Sequence, residues 1–366
     1  MADLVVAGAG MGGLAAAAEA RRLGAEPLVL EKLSRPGGSM RLSSGVVWRH
    51  RELERFLAEC PDGDGRLQRL LFERLDDDMG WLESLGAPVV ERETGNPLTT
   101  GARFDPEGLT GALVEAAGGL APPDGAGAGA PGVHVAERLC EPHAGVPLVL
   151  ATGGFAADRE LLEKYVSPEA GHAFLRAAPG STGDGLRIGL AAGAATSTGL
   201  AQVYGRAMPA PPARIGEGDL VRLSQLYARH ADVTNELGEQ YETTTWSEID
   251  VAQWQVRQPR ARAWFTVSAA CLGERVRERT VAEMIDAAEE AGAPVRHEED
   301  HVTVETVAGV TTTLGGLAID EHAMAAPDVF ACGADAGGIA TGGYASGLAA
   351  ALVFGRIAAR AALGEP

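Results

Sequence analysis

Residues 3–31 restrict this chain to a narrow set of folds. Leu4-Val5-Val6 reads as a buried strand, and Gly8-Ala9-Gly10-Met11-Gly12-Gly13 follows it directly. Leu14 to Leu23 reads as an alanine-rich helix stopping at Gly24, and Glu26 to Leu30 as a second strand ending in Glu31. Strand, glycine turn, helix and strand in this order make a βαβ unit whose first turn is shaped for a phosphate. Each glycine has its own reason: Gly8 permits the tight turn, Gly10 lets backbone N–H groups approach a pyrophosphate, and Gly13 lets helix and strand pack closely. With Met11 and Gly12 in its opening turn, the helix N-terminus adds partial positive charge. Glu31 is placed to accept hydrogen bonds from a ribose. Taken alone, the unit binds a dinucleotide and leaves FAD and NAD(H) both open.

Further along, Arg66 to Leu85 has leucines at helical spacing, and Gly108 to Ala117 reads as a shorter helix. Residues 118–132 are almost all glycine, alanine and proline, a composition that builds no core and is expected to form a loop or a poorly ordered stretch. Pro147-Leu-Val-Leu-Ala-Thr-Gly-Gly154 is again a strand and a glycine turn, followed by a helix through Tyr165. Gly183-Asp184-Gly185 starts another helix, and Leu223 to Ala231 reads as helical. Between 200 and 270 the character changes: Trp246, Trp254, Trp264, Tyr204, Tyr227 and Tyr241 all fall there. Thr280 with Glu283 gives a capping-box start for a helix ending near Gly292, and the alternation in Val302 to Val307 predicts a strand. There is no internal repeat.

Composition removes several function classes. A formal charge of −19 argues against a nucleic-acid footprint and a basic membrane-surface patch. No window approaches 18 uncharged apolar residues, so no membrane span is expected. The first strand is entered at Asp3, so no signal peptide is expected, and Arg21-Arg22 is expected inside a helix. Four scattered cysteines (Cys60, Cys140, Cys271, Cys332) with no CxxC support neither a metal cluster nor haem attachment. His297 and His301 flank Glu298-Glu-Asp300 without a third convincing ligand, so no metal is expected. A reducing cytoplasm is the expected location.

The C-terminal segment selects between the dinucleotides. It reads Val329-Phe-Ala-Cys-Gly-Ala-Asp335, then Gly342-Gly-Tyr-Ala-Ser-Gly-Leu348. This resembles the closing segment of the fumarate reductase/succinate dehydrogenase flavoproteins and 3-ketosteroid dehydrogenases. In that group the helix after Ser346, Gly347 and Leu348 points at the flavin ring, so the resemblance implies FAD. Three more matches occur in family order. The loop Arg35-Pro-Gly-Gly-Ser-Met-Arg-Leu-Ser-Ser-Gly45 follows Lys32 and resembles the second glycine loop, so Gly38, Ser39, Met40, Ser43, Ser44 and Gly45 are expected around the ribityl chain. Ala151, Thr152 and Gly153 resemble the strand end beside the adenosine. Gly180-Ser-Thr-Gly-Asp184-Gly resembles the family's GDG turn. Gly333, Ala334 and Asp335 stand where relatives hold the ribityl–pyrophosphate part. Members with covalent flavin carry a histidine in the second glycine loop; residues 37–45 contain none, implying non-covalent FAD.

The resemblance implies an α/β fold, a Rossmann-like FAD-binding domain with an inserted α+β substrate cap. The expected bounds are 1–200 for the first part of the FAD-binding domain, 201–307 for the cap and 308–366 for the closing segment. The dicarboxylate-clamping residues of fumarate reductases are mostly replaced. Gln202-Val-Tyr204 stands for Gln-x-His, Gly238-Glu-Gln-Tyr-Glu-Thr-Thr244 for Gly-x-Arg-Phe-x-x-Glu, and Thr311-Thr-Thr-Leu-Gly-Gly-Leu317 for a histidine-bearing run. Gly342-Gly343-Tyr344 replaces an arginine. The polar set that remains is tyrosine-rich: Tyr204, Tyr227, Tyr241 and Tyr344, with Arg206 near Tyr204. In ketosteroid dehydrogenases a tyrosine and a glycine N–H hold the substrate ketone, and Tyr344 with Gly347 resembles that pair. Each tyrosine has packing as its alternative role, and His230 is expected to be structural.

The resulting expectation is an FAD-dependent dehydrogenase making a double bond α,β to a carbonyl in a small alicyclic or polyketide-like substrate. Proton abstraction would be tyrosine-assisted, with hydride transfer to flavin N5 and Tyr344, Tyr204, Arg206 and Gly347 as the site. Two alternatives stay open: a reductase of an activated alkene (enone or unsaturated acid), and a non-redox isomerase or lyase. A non-catalytic flavin-binding protein is the remaining possibility. No second fingerprint for NAD(P)H follows the first, so an external electron acceptor, or a flavin or quinone reductant, is the expected partner beside a small-molecule substrate.

Overall fold

The computed structural model describes residues 2–122, 130–139 and 145–365. The chain divides into two compact units: Met1–Ala157 with Ala178–Leu200 and Thr313–Pro366, and Asp158–Ala177 with Ala201–Thr312.

The first unit is built on a six-stranded sheet. Its strands run in the order Met324–Ala326, Val329–Ala331, Leu148–Leu150, Leu4–Ala7, Pro27–Glu31 and Gly132–Val135. The last five are parallel, and only the edge strand Met324–Ala326 runs antiparallel. Leu4–Ala7 sits mid-sheet and is buried throughout, as its unbroken apolar run requires. The helix after it spans Met11–Arg22, starting inside the glycine run, three residues before the expected Leu14. The amide of Leu14 already bonds the Gly10 carbonyl at 3.0 Å, so residues 11–13 form the first turn.

Against this helix lies the closing helix Gly347–Ala362, capped by Ser346, whose Oγ accepts from the Ala349 amide at 3.2 Å. A Cβ on Gly355 would lie 2.4 Å from the Gly12 carbonyl oxygen, so the two helices touch backbone to backbone there. Their buried faces share an ionic centre. Glu19 accepts from Arg356 at 2.9 and 3.1 Å and from Arg360 at 2.7 Å, while Arg356 also reaches Asp78 on the helix Gly65–Ser84. A small antiparallel sheet of Val46–His50, Thr99–Phe104 and Val89–Glu91 completes this unit. The glycine-rich stretch expected to be a loop or poorly ordered falls partly outside the described residues, at 123–129. Before that gap, Leu120 bridges to Val133.

The second unit has a mixed sheet centred on His301–Thr313, much longer than the alternation at 302–307 predicts. Arg262–Ser268 and Val295–His297 pair with it antiparallel, Phe174–Leu175 pairs parallel, and Val203–Pro209 also joins it. The helix Val281–Glu290 has the predicted capping box, with Thr280 and Glu283 reciprocally bonded, and places Met284 and Ile285 in the core beside Phe265. The predicted helix over 223–231 is not formed. Only Ala228–His230 makes a short 3₁₀ turn, because the Gln225 amide donates to the Ala207 carbonyl across the chain and leaves the helical ladder.

Candidate cofactor and active site

The first glycine turn is a cradle in the physical sense. Gly8 has φ +103°, and a Cβ there would meet the Ala151 carbonyl oxygen at 2.2 Å. A Cβ on Gly13 would lie 1.9 Å from the Gly8 carbonyl oxygen. A Cβ on Gly10 would meet nothing within 4 Å. Fold packing thus demands two of the glycines, while the third faces open space. No side chain caps this helix start, so the first-turn amides of Met11, Gly12 and Gly13 remain for an anion. These residues fit a pyrophosphate.

Glu31 ends its strand with both carboxylate oxygens oriented: Oε2 accepts from the Ala9 amide and Oε1 from the Leu33 amide, each at 2.8 Å. The second glycine loop rests on the first. The Gly37 amide donates to the Ala9 carbonyl at 2.7 Å, and a Cβ on Gly38 would be 3.5 Å from the Gly10 Cα. Ser39 Oγ accepts from the Ala178 amide at 3.0 Å, Met40 is buried, and Ser43 Oγ donates to the Met40 carbonyl at 2.7 Å. Ser44 is exposed, whereas Gly45 is buried against the Phe104 carbonyl.

Lys32 and Asp184 are brought together, 2.8 Å apart, with Arg138 2.7 Å from the other Asp184 oxygen and Thr182 Oγ1 2.6 Å from Lys32. Burial acts against ionisation of Asp184, but Lys32 and Arg138 outweigh it and hold its carboxyl below the usual range. Asp335 is 1% exposed and accepts from Thr152, through both its amide and its hydroxyl, and from the Gly154 amide. Its carboxyl therefore locks the turn Ala151–Thr152–Gly153 to the segment Gly333–Ala334–Asp335. Burial raises its pKa, with Asp184 adding like-charge repulsion.

In the closing segment, Gly347 and Leu348 open the helix capped by Ser346. The Gly347 amide lies 3.5 Å from the Tyr344 hydroxyl and donates to it. What surrounds this tyrosine was not legible in sequence. Trp48 meets it edge-on with ring centroids 5.9 Å apart, and His50 lies 5.3 Å from Trp48 while stacking on Phe56 at 5.5 Å. Burial, against the pull of Glu59, pushes the His50 imidazole below its usual pKa and favours the neutral ring. Cys60, beside the same segment, is pushed up to about 12 by burial and by Glu59, leaving an inert thiol. The one available signal was period 2: Trp48 and His50 fall on one face of Val46–His50.

In the second unit the tyrosines separate. Tyr227 is fully buried, packs edge-on against Phe265 at 5.7 Å, and its hydroxyl has no hydrogen-bond partner. Tyr241 stacks on Trp254 at 4.9 Å and donates to Asp250 at 3.1 Å. Both are packing anchors. Tyr204 is different. The buried Arg206 guanidinium stands 5.3 Å from its ring centroid. Burial raises the phenol pKa, but Arg206, Arg176 and Arg277 reverse that and bring it below the usual tyrosine value. His230 lies on the short 3₁₀ turn. His297 and His301 pair with Glu289 and Glu298, each at 3.2 Å. Among the described residues no three His, Cys, Asp or Glu side chains are grouped to hold a metal, and no helix is long and apolar enough to cross a membrane.

Comparison with known proteins agrees with the cradle. The profile of the FAD binding domain family matches residues 3–141 and 131–348. No curated protein sequence matches the chain. Among solved structures, the fold is similar to a 3-ketosteroid Δ1-dehydrogenase from Sterolibacterium denitrificans, with TM-score 0.70, 14% identity and 99% of each chain covered. It is also similar to a 3-ketosteroid Δ4-(5α)-dehydrogenase from Rhodococcus jostii RHA1, with TM-score 0.69 and 20% identity over 99% of this chain and 96% of that one. A flavocytochrome c3 fumarate reductase gives TM-score 0.68 and 20% identity, over 99% of this chain and 78% of that one. With the glycine cradle, the oriented Glu31 and a family match running from the first strand to the closing helix, the chain belongs to the FAD binding domain family, and its cofactor is FAD.

Proposed function

We propose that this protein is an FAD-dependent dehydrogenase acting on a CH–CH bond, introducing a double bond α,β to a carbonyl in a small alicyclic or polyketide-like substrate. The carrying observation is the Tyr344 hydroxyl beside the Gly347 amide at the start of the closing helix. The Gly347 N–H polarises the phenol oxygen, which makes the Tyr344 O–H a better donor to a ketone oxygen. Stabilising the developing enolate oxygen in this way acidifies the α-proton. Within the second unit, the arginine surroundings of Tyr204 favour the phenolate, the form a proton acceptor requires. Bound FAD supplies the two-electron acceptor for the hydride leaving the β-carbon. The ketosteroid dehydrogenases among the similar structures support this direction of chemistry.

Non-covalent FAD belongs to the same proposal, since the loop against Gly10 offers no histidine between 37 and 45. An external acceptor must reoxidise the flavin. Anaerobic mixing tests the proposal: bleaching of the flavin by a saturated cyclic ketone is the expected result. Reoxidation of the reduced protein by an enone, without bleaching by any ketone, would turn the assignment to an alkene reductase. Turnover with no change in flavin colour would turn it to an isomerase or lyase.

A further inference from the structure

Four of the seven residues before Tyr344 are glycines: Gly337, Gly338, Gly342 and Gly343. Glycine has more backbone freedom to lose than any other residue, so this segment does not fix the tyrosine's position by itself. A hydrogen-bond donor to a reacting oxygen acts only where it is held, since a misplacement of about 1 Å costs about a hundredfold in rate. The hold lies in the same unit, on the corner between the helices Leu53–Glu59 and Gly65–Ser84.

The corner meets the glycine segment backbone to backbone. The Asp64 amide donates to the Gly338 carbonyl at 2.7 Å, and the Asp62 amide to the Thr341 carbonyl at 3.2 Å. A Cβ on Gly343 would run into the Glu59 carbonyl oxygen, so only glycine lets the chain pass the end of the helix Leu53–Glu59. One side chain ties corner and segment together. Gln68 is 1% exposed and uses both Nε2 hydrogens, one on the Cys60 carbonyl at 2.8 Å and one on the Ile339 carbonyl at 2.9 Å. Both partners are acceptors, which fixes the orientation of the carboxamide. A Cβ on Gly63 would run into the same Nε2, so glycine keeps that space open.

The helix Leu53–Glu59 also supports the ring side. Its Phe56 stacks on His50 at 5.5 Å, His50 meets Trp48 at 5.3 Å, and Trp48 meets the Tyr344 ring at 5.9 Å. We propose, resting on the role given to Tyr344 above, that Gln68 is a positioning residue for it. By joining the Cys60 and Ile339 carbonyls, Gln68 sets where the Gly342–Gly343 turn delivers the tyrosine hydroxyl. It acts only through the segment it holds. Its removal therefore costs rate at saturating substrate, and costs no further rate once the Tyr344 hydroxyl is gone.

The test uses the full-length, FAD-loaded protein as wild type, Gln68→Met, Tyr344→Phe and the double variant. Methionine keeps the length of the side chain and removes both donors. Anaerobic flavin bleaching is followed at saturating cyclohexanone and 2-decalone. Gln68→Met is expected to slow bleaching about tenfold or more with FAD retained, and to add nothing in the Tyr344→Phe background. Gln68→Asn keeps the carboxamide on a stem one methylene shorter and serves should Gln68→Met fail to fold, with a smaller loss in the same pattern. Amide hydrogen exchange needs no substrate: peptides over 60–64 and 337–347 are expected to exchange about tenfold faster in Gln68→Met, with the peptide over 8–13 unchanged. Exchange at the wild-type rate overturns the proposal. So does slowing by the same factor with and without the Tyr344 hydroxyl. Faster exchange with no ketone bleaching the wild-type flavin would keep Gln68 as the hold on this segment and remove the dehydrogenase reading. Bleaching that Gln68→Met leaves untouched would do the reverse.

Discussion

The Tyr344 hydroxyl lies 3.5 Å from the Gly347 amide, so the tyrosine is held by the first free N–H of the helix that closes the FAD-binding unit. Trp48 braces its ring from the side. Removing the hydroxyl leaves the ring, the Trp48 contact and the Ser346 cap in place. Tyr344→Phe is therefore expected to slow anaerobic flavin bleaching by substrate about a hundredfold or more, the scale of one lost oxyanion donor, with FAD still bound. Stopped-flow absorbance at the flavin band reads both quantities. Bleaching at the wild-type rate would take Tyr344 out of the chemistry.

Gly10 and Gly8 differ by what lies in front of them, open space or the Ala151 carbonyl. Gly10 also has φ −83°, which any residue adopts. Gly10→Val is thus expected to yield a folded protein without yellow colour, because the side chain enters the space kept for the pyrophosphate. Gly8→Val should instead lose stability by several kcal/mol, since both the backbone and the Ala151 contact forbid it. Absorbance at 450 nm and thermal unfolding separate the two effects. A yellow Gly10→Val protein would contradict the phosphate assignment.

The glycine cradle was legible because its requirements are local: backbone conformation and a carbonyl a few residues away. Glu31 was legible for the same reason, as the last residue of a five-residue strand. What surrounds Tyr344 was not. Trp48 and His50 sit on a short strand with no strong periodic signal, and only tertiary pairing brings them to the closing segment. In sequence Tyr204 stood in the expected site and Tyr227 did not, and each had packing as its alternative role. Their environments, one among arginines and one packed in a hydrophobic cluster, follow from tertiary pairing. The expected helix at 223–231 failed on a single long-range bond, from Gln225 to Ala207.

Tyr227 gives a prediction of opposite sign from Tyr344. Its buried hydroxyl has no hydrogen-bond partner, and burial carries its pKa far above the usual tyrosine value, with Glu248 adding to the effect. Deleting an unsatisfied buried hydroxyl while keeping the ring relieves about 1–3 kcal/mol of desolvation cost. Tyr227→Phe is expected to melt at the wild-type temperature or a few degrees higher, with unchanged flavin reduction. A drop of several degrees in thermal unfolding would reveal a partner for the hydroxyl.

The ionic centre between the two long helices makes stability depend on pH in two opposed ways. Burial works against ionisation of Glu19, but its bonds from Arg22, Arg356 and Arg360 hold the carboxyl at about 2. A depressed carboxyl contributes stability above its unfolded value near 4.5, and that stability is lost as pH falls from there toward 2. Asp78 is the opposite case. Burial raises it to about 6 despite Arg356, and its Oδ2 has no partner. Between its unfolded value of 3.8 and about 6, the folded protein binds the proton that the unfolded chain releases, so stability falls as pH rises through that window. The difference amounts to about 3 kcal/mol, at 1.36 kcal/mol per unit. Asp78→Asn keeps the shape and abolishes the titration. Its melting temperature relative to wild type is expected to improve steadily from about pH 4 to pH 6 and then level off. Glu19→Gln should show the reverse, a deficit that is largest above pH 5 and shrinks toward pH 3. Melting-temperature differences that stay constant across pH in both variants would show that neither carboxyl has a shifted pKa in the folded protein.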